Sequence, residues 1–402
     1  MKMRSLTFAA ALGLSVSLAM GCGPREEDGD PNDPDTCAEL GANQVQGGIT
    51  LSGTCYLVSG SVINVNSGEV VIEPGTTIFF ENNGGLNFTG DGRLTAIGTE
   101  DEPIILRGRE ALRGYWRGLR FDDTIVPSRL EWVTVMHAGR EAPATSPGDG
   151  AIVVRAGANL TVLDSTFREN RATGINTVDS SSTQLTFSRL DFTDNETALL
   201  VNPNHLGTLE NLTIEGNDVD AVVIPPAPAP APREVTQSST WRAQEVPIEF
   251  RHGVRISGAD IVIEPGAELR FRSNAGLAIV DSGSLSADAD GEDAIRFLGV
   301  EERQGGWRGI HINTDRSANR FVNVEIRHGG NHQWFGGRDF SKGNIYIDDS
   351  STMFISDSTL ADSEQHAIGR WRDGVVNGCT NMTYENNAGG NFPEGADDLC
   401  DE

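Results

Sequence analysis

The segment VVIEPG at residues 70–75 occurs again as IVIEPG at residues 261–266, and this repetition decides the fold of the chain. The two closing glycines lie 191 residues apart. The same offset, which becomes 193 after a small insertion, aligns further positions: Trp116 with Trp307, His137 with His328, and Asp164-Ser165-Thr166 with Asp357-Ser358-Thr359. Chance does not align so many positions, so the chain contains two copies of one unit. Copy one covers residues 37–224 and copy two covers 240–402, joined by a Pro- and Ala-rich connector at 225–239.

Copy one also contains a shorter period of 22 to 25 residues. Three inward apolar residues are each followed three positions later by an asparagine: Phe167 by Asn170, Phe192 by Asn195 and Ile214 by Asn217. Such a period is typical of a solenoid whose rungs are short strands. Alternation, as in Leu160-Thr161-Val162, places apolar side chains inside and polar ones outside. We therefore expect stacked apolar ladders and structural turn asparagines, a residue type that tolerates left-handed backbone angles.

The repeated motifs resemble those of a known group of proteins. They are VIEPG, GLxxxxxGxLxAxGT, WRGLxF and VxxxHAG, and they resemble secreted bacterial β-helix proteins of the pectate-lyase-like superfamily. The resemblance covers both copies and implies an all-β, right-handed parallel β-helix. That superfamily includes polysaccharide lyases, hydrolases, adhesins and lipoproteins, so the resemblance leaves the activity open.

Composition agrees with an all-β chain and excludes some partners. Glycine is abundant (47 residues) and only 6% of residues are aromatic, as expected for short strands separated by tight turns. The formal net charge is −27. Such an acidic surface repels nucleic acid and anionic lipid headgroups. We expect an elongated monomer that contacts a membrane only through an N-terminal lipid.

The N-terminus predicts export. Residues 1–21 carry Lys2 and Arg4, an apolar stretch and small residues before Cys22, which is the pattern of a signal peptide. The segment at 18–22 resembles a bacterial lipobox, which implies lipid attachment to Cys22 and a place in the outer membrane or at the cell surface. Ala19-x-Gly21 also suits ordinary signal peptidase, in which case the protein is secreted or periplasmic. Residues 22–36 are acidic and Pro-containing, and we expect them to be a disordered tether.

The five cysteines of the chain consist of one single cysteine near the N-terminus and two pairs that are each close in sequence. Cys22 is the one that a lipid would take, which leaves Cys37 with Cys55 and Cys379 with Cys400 near the two ends of the solenoid. In an oxidising compartment we expect each pair to form a disulfide that fixes a terminal turn.

No catalytic residue is assigned from the sequence. Asn313-Thr314-Asp315 and Asp348-Asp349 resemble part of a β-helix hydrolase pattern, but His328 lies between them and no Arg-x-Lys follows, so we interpret them as turns. His137 and His328 occupy matched positions many rungs apart, and we expect capped histidines at the rim rather than a shared metal.

Two binding features remain as hypotheses. The acidic residues Asp288, Asp290 and Glu292 could hold calcium, although a backbone turn explains them equally well. Apart from calcium, no cofactor is expected. A loop after His328 replaces a plain segment of copy one and collects residues suited to stacking on a sugar ring: His332, Trp334, Phe335, Arg338 and Asp339. Their alternative role is to cover a hydrophobic flank of the solenoid.

These features favour an envelope-anchored, non-catalytic module that binds a polysaccharide or a cell-surface protein. A solenoid offers a long, regular face for such partners. A polysaccharide lyase or hydrolase of the same fold is the second hypothesis. A purely structural envelope spacer is the third.

Overall fold

The computed structural model describes residues 33–400, apart from 54, 141–148, 156, 181–183, 227–231, 332–342, 395 and 397–398. Regular structure in this part is almost entirely β. The exceptions are one short helix, α1 (Ala42–Val45), and two 3-10 turns, Pro34–Thr36 and Pro203–Thr208. None of these helical segments has the length and apolar character needed to cross a membrane.

The strands of copy one are β1 (Ala38–Glu39), β2 (Ile49–Leu51), β3 (Cys55–Val58), β4 (Val62–Ile72), β5 (Thr77–Phe80), β6 (Gly85–Ile97), β7 (Ile104–Gly108), β8 (Leu119–Thr124), β9 (Ser128–Glu131), β10 (Val133–Met136), β11 (Ile152–Arg155), β12 (Leu160–Arg168), β13 (Ile175–Asn176), β14 (Leu185–Thr193), β15 (Thr197–Leu200), β16 (Leu209–Glu215) and β17 (Val219–Ile224).

The strands that follow are β18 (Arg233–Val235), β19 (Ser239–Trp241), β20 (Ile248–Phe250), β21 (Gly253–Ser257), β22 (Asp260–Ile263), β23 (Glu268–Phe271), β24 (Gly276–Val280), β25 (Ser284–Asp288), β26 (Ile295–Gly299), β27 (Ile310–Asn313), β28 (Arg320–Val322), β29 (Val324–Arg327), β30 (Gly343–Ile347), β31 (Thr352–Ser356), β32 (Thr359–Ala361), β33 (His366–Arg370), β34 (Val375–Gly378) and β35 (Thr383–Glu385).

The strands stack in parallel on three faces around one interior, as expected for a parallel β-helix. Face one of copy one contains β1, β3, β5, β7, β10 and the second halves of β12, β14 and β16. Face two contains the first halves of β4 and β6, then β8, β11, β13, β15 and β17. Face three contains β2, the second halves of β4 and β6, β9, and the first halves of β12, β14 and β16.

Stacking in register fills the interior with like side chains. Phe167 pairs with Phe192, and Phe192 pairs with Ile214. The two phenylalanine rings stack at 5.1 Å, and both are fully buried. The strand alternation predicted from the sequence is therefore confirmed.

The asparagine ladder is also present, with one correction. The Nδ2 atoms of Asn170 and Asn195 each donate to the Oδ1 of the next asparagine at 2.9 Å. The left-handed residue at this corner is not the asparagine but the one before it, Glu169 or Asp194 in these two rungs, with φ of 54° and 55°. The preceding residue makes the bend, and this bend directs the asparagine side chain inward to meet the backbone of its neighbours.

The tryptophan of the repeated Trp-Arg-Gly motif packs in the interior of each copy. Trp116 stacks on Phe80 at 3.9 Å, and its indole N–H donates to the carbonyl of Met136 at 2.8 Å. In copy two, Trp307 stacks on Phe271 at 4.2 Å. Each tryptophan is fully buried, so the motif completes the core and satisfies its own polar atom.

The two copies form one continuous solenoid. At the junction, however, face two of copy one continues into the sheet of copy two that corresponds to face one. β17, on face two of copy one, pairs in parallel with β20, matching Val222 with Ile248. In copy two, β20 belongs with β23, β26, β29, β32 and β35, the counterpart of face one. β18 and β19 begin the other two sheets. Part of the expected connector at 225–239 therefore belongs to the solenoid.

Both expected disulfides are present. Cys37 is bonded to Cys55, and Cys379 is bonded to Cys400. They close loops with sequence separations of 18 and 21 residues at the first and last rungs. The pairing predicted from the cysteine positions is confirmed.

Candidate functional site

A groove crosses the corner between faces three and one of copy one. It has a volume of about 510 Å³ and extends over several consecutive rungs. Each of four rungs contributes the first and third residues of a triplet at this corner: Trp132 and Thr134, Asp164 and Thr166, Arg189 and Asp191, and Asn211 and Thr213. Glu100 and Pro103 line the end of the groove nearer the N-terminus.

The first residue of each triplet bends the chain. Trp132, Asp164, Arg189 and Asn211 have φ between 47° and 54°, in the left-handed region. Residues other than glycine, asparagine or aspartate seldom adopt this conformation. Its presence at Trp132 and Arg189 shows that rung stacking determines the backbone at this corner.

The middle residue of each triplet points inward and holds the corner. Ser165 is buried; its hydroxyl donates to the Leu163 carbonyl at 2.6 Å and accepts from the Val133 N–H at 3.1 Å. The equivalent Ser358 makes the same two bonds in copy two. This explains why the sequence Asp-Ser-Thr is repeated in both copies.

The third residues of the four triplets together form a row along the solenoid axis. Parallel register pairs Thr134 with Thr166, Thr166 with Asp191, and Asp191 with Thr213. Adjacent members are therefore about 4.8 Å apart, the spacing of neighbouring strands. The row presents hydroxyl and carboxylate groups at regular intervals beside the half-buried indole of Trp132.

One ion pair neutralises the middle of the groove. Arg189 donates from Nε to Oδ1 of Asp164 at 2.5 Å and from Nη2 to Oδ2 at 2.6 Å. This guanidinium holds the pKa of the Asp164 carboxyl below its usual value. Glu100 and Asp191 have no ion-pair partner among the described residues, so the groove carries net negative charge.

The corresponding corner of copy two has different chemistry. Asn323 replaces Trp132, and its side chain is occupied by the carbonyls of Ala289 and Glu292 at 3.0 and 2.9 Å. Glu325 replaces Thr134 and forms an ion pair with Arg327. Both of these polar side chains are thus occupied within copy two, whereas copy one has an aromatic ring and a threonine at the same two positions.

No family model, curated protein or solved structure matches this chain.

The sites expected from the sequence lie elsewhere. The loop with His332, Trp334, Phe335, Arg338 and Asp339 falls outside the described residues, as does Cys22, so both stay predictions.

The acidic calcium candidates are not gathered into a metal site. Asp288 pairs with Arg320 at 2.6 Å and accepts from the Asp290 N–H at 3.3 Å. No group of three or more His, Cys, Asp or Glu side chains in the described part of the chain is placed to hold a metal ion. Asp288, Asp290 and Glu292 are thus not assembled around a common point.

Of the two matched histidines, His137 is buried and His328 is partly buried. His137 is 2% exposed, with Nε2 at 3.4 Å from the Glu169 carboxylate. His328 lies 3.9 Å from the Asp362 carboxylate. Burial lowers the pKa of both imidazoles, and the neighbouring carboxylate partly opposes it. Each pair lies within its own copy, so the two histidines do not share an ion.

Two carboxylates of the hydrolase-like pattern, Asp348 and Asp349, have partners within the protein. Asp348 lies after the end of β30, and its carboxylate lies 3.2 Å from His311, which lowers the pKa of the aspartate. Asp349 pairs with Arg372 at 3.0 Å. Asn313 ends β27.

Sequence reasoning missed the groove. The available signal was the alignment of the two copies, which sets Trp132 against Asn323. Since the other copy makes the same bend with an asparagine, the bend does not require an aromatic residue at this corner.

Proposed function

We propose that this protein is an exported, lipid-anchored surface protein that binds a polysaccharide through the groove of copy one without cleaving it. The observation that carries the proposal is the row of Thr134, Thr166, Asp191 and Thr213 beside the Trp132 ring. Sugar rings offer hydroxyls for the polar row and an apolar face for an indole.

The dimensions of the groove suit a linear polymer. The residues that line the groove extend from the turn before β7 to β16. This distance is four rung intervals, or about 19 Å at the spacing of neighbouring strands. A repeating ligand that lies along the solenoid axis meets two side chains at equivalent positions of each rung. The pectate-lyase-like resemblance is consistent with a carbohydrate ligand, and we extend it to this chain only as part of the proposal.

Polysaccharide binding by the purified mature chain tests the proposal. A panel of soluble and insoluble polysaccharides is assayed for retention and for new reducing or unsaturated ends, with and without calcium. We expect retention without new ends. New ends would replace the proposal with a lyase or hydrolase, and a lack of retention on every polymer would favour the structural spacer.

Matched variants locate the binding surface. Thr166→Ala changes the groove, whereas Thr359→Ala changes the equivalent Asp-Ser-Thr triplet in copy two. Both threonines are half-buried, so their effects on folding should be similar. We expect Trp132→Ala and Thr166→Ala to weaken retention and Thr359→Ala to leave it unchanged. Equal effects of the two threonine variants would exclude this groove as the site.

The anchoring part of the proposal has its own test. Cys22→Ala should move the protein from the membrane fraction to the soluble fraction and remove the mass of the lipid. An unchanged distribution, with the leader cleaved elsewhere, would favour a secreted or periplasmic protein.

A further inference from the structure

A second cavity adjoins the groove at the junction between the copies. It has a volume of about 280 Å³ and is lined by residues of β16 and of the segment after β19. Asn211 and Thr213 line both cavities. The groove therefore continues past the last rung of copy one to Ala243, Gln244 and Glu245 of copy two.

The change of faces at the junction explains this cavity. β20 pairs with β17 and not with the second half of β16, so face one of copy one ends at Leu212–Glu215. Residues 243–245 pass this strand without pairing to it, and within the described part of the chain no strand occupies its open side. A full rung would have filled this space with backbone hydrogen bonds.

The charges of the combined channel that lack an ion-pair partner among the described residues have one sign. Arg189 is already neutralised by two bonds to Asp164. Glu100, Asp191 and Glu245 have no ion-pair partner among the described residues. A carboxylated, sulfated or phosphorylated polymer would place its charges beside these carboxylates and would be repelled.

We propose that the groove and the junction cavity form one binding channel that holds a single uncharged polysaccharide chain across both copies. This inference rests on the proposed function and specifies its ligand. From the turn before β7 to Gln244, the channel covers about five rung intervals, roughly 24 Å. A longer oligosaccharide reaches the junction, and a short one occupies only the part beside Trp132.

Oligosaccharides of increasing length test the span of the channel. Cello-, xylo-, manno- and chito-oligosaccharides from dimers to octamers are titrated into the mature chain by calorimetry. For the series that binds, affinity should rise with length until the channel is filled. Gln244→Ala should weaken the longest oligomers about fivefold, the equivalent of one hydrogen bond, and leave the shortest unchanged.

A carboxymethylated polymer tests whether the channel selects an uncharged polysaccharide. Carboxymethylated polymer of the series that binds should bind at least tenfold more weakly than the neutral polymer at low salt, and Asp191→Asn with Glu245→Gln should reduce that difference. The span is overturned if affinity stops rising with short oligomers or if Gln244→Ala has no length dependence. The ligand class is overturned if the carboxymethylated polymer binds equally well. If no oligosaccharide of any length binds, the proposed function fails together with this inference.

Discussion

Replacement of Asn195 by alanine should lower the free energy of unfolding by about 3 kcal/mol, since it removes the centre of the asparagine ladder. The side chain is fully buried. Its Oδ1 accepts from the backbone N–H and the side-chain amide of Asn170, at 3.1 and 2.9 Å. Its Nδ2 donates to the carbonyl of Phe167 and to Oδ1 of Asn217, both at 2.9 Å.

The loss of about 3 kcal/mol follows from the hydrogen bonds that each partner of Asn195 keeps in the variant. The Asn170 amide also donates to the carbonyl of Val135 at 3.0 Å, and Asn217 Oδ1 also accepts from the backbone N–H of residue 195 at 3.0 Å, which alanine keeps. The Asn170 backbone N–H loses its acceptor inside the solenoid, whereas the Phe167 carbonyl loses one donor but stays in the ladder between β12 and β14. An unsatisfied buried polar group costs about 1–3 kcal/mol and the loss of one further hydrogen bond costs about 1 kcal/mol, which together give the value above.

Chemical denaturation of Asn195→Ala beside Asn217→Ala provides the measurement. Asn217 is half-buried at the end of the ladder, where water can replace its hydrogen bonds, so its loss should cost about 1 kcal/mol. Equal losses for the two variants, or a loss below about 1 kcal/mol for Asn195→Ala, would refute the reasoning that the ladder is a buried hydrogen-bond network.

Three further outcomes are expected. Burial lowers the pKa of His137 and His328, so the unfolded chain binds more protons and stability should fall as pH drops through about 6.5. His137→Gln combined with His328→Gln should flatten the dependence of Tm on pH in that window, and an unchanged slope would contradict this assignment. Cys37→Ser with Cys55→Ser should reduce stability by about 3 kcal/mol in denaturant titrations, because the closed loop no longer restricts the unfolded chain; no loss relative to the wild type would argue against this. Calcium or a chelator should leave Tm unchanged, because the Asp288 carboxylate is in an ion pair; a calcium-dependent rise in Tm would show that the acidic loop binds the ion.

The amino-acid sequence by itself determined the features that depend on local pattern. The duplication of VVIEPG at 70–75, the alternation in Leu160–Arg168 and the spacing of asparagines such as Asn195 predicted a parallel solenoid with an asparagine ladder. The cysteine positions predicted both disulfides. These inferences succeed because alternation, short periods and nearby cysteine pairs report directly on which side chains face inward and which turns repeat.

The groove and the junction were decided by the tertiary structure. Trp132, Asp164 and Arg189 come together only because their rungs stack in one register, although the rungs between these corners are 32 and 25 residues long. The pairing of β17 with β20 exchanges faces between the copies, which no comparison of the two repeats reveals. Local patterns specify the strands, whereas long-range hydrogen bonding specifies which strands lie side by side and therefore which side chains form a site.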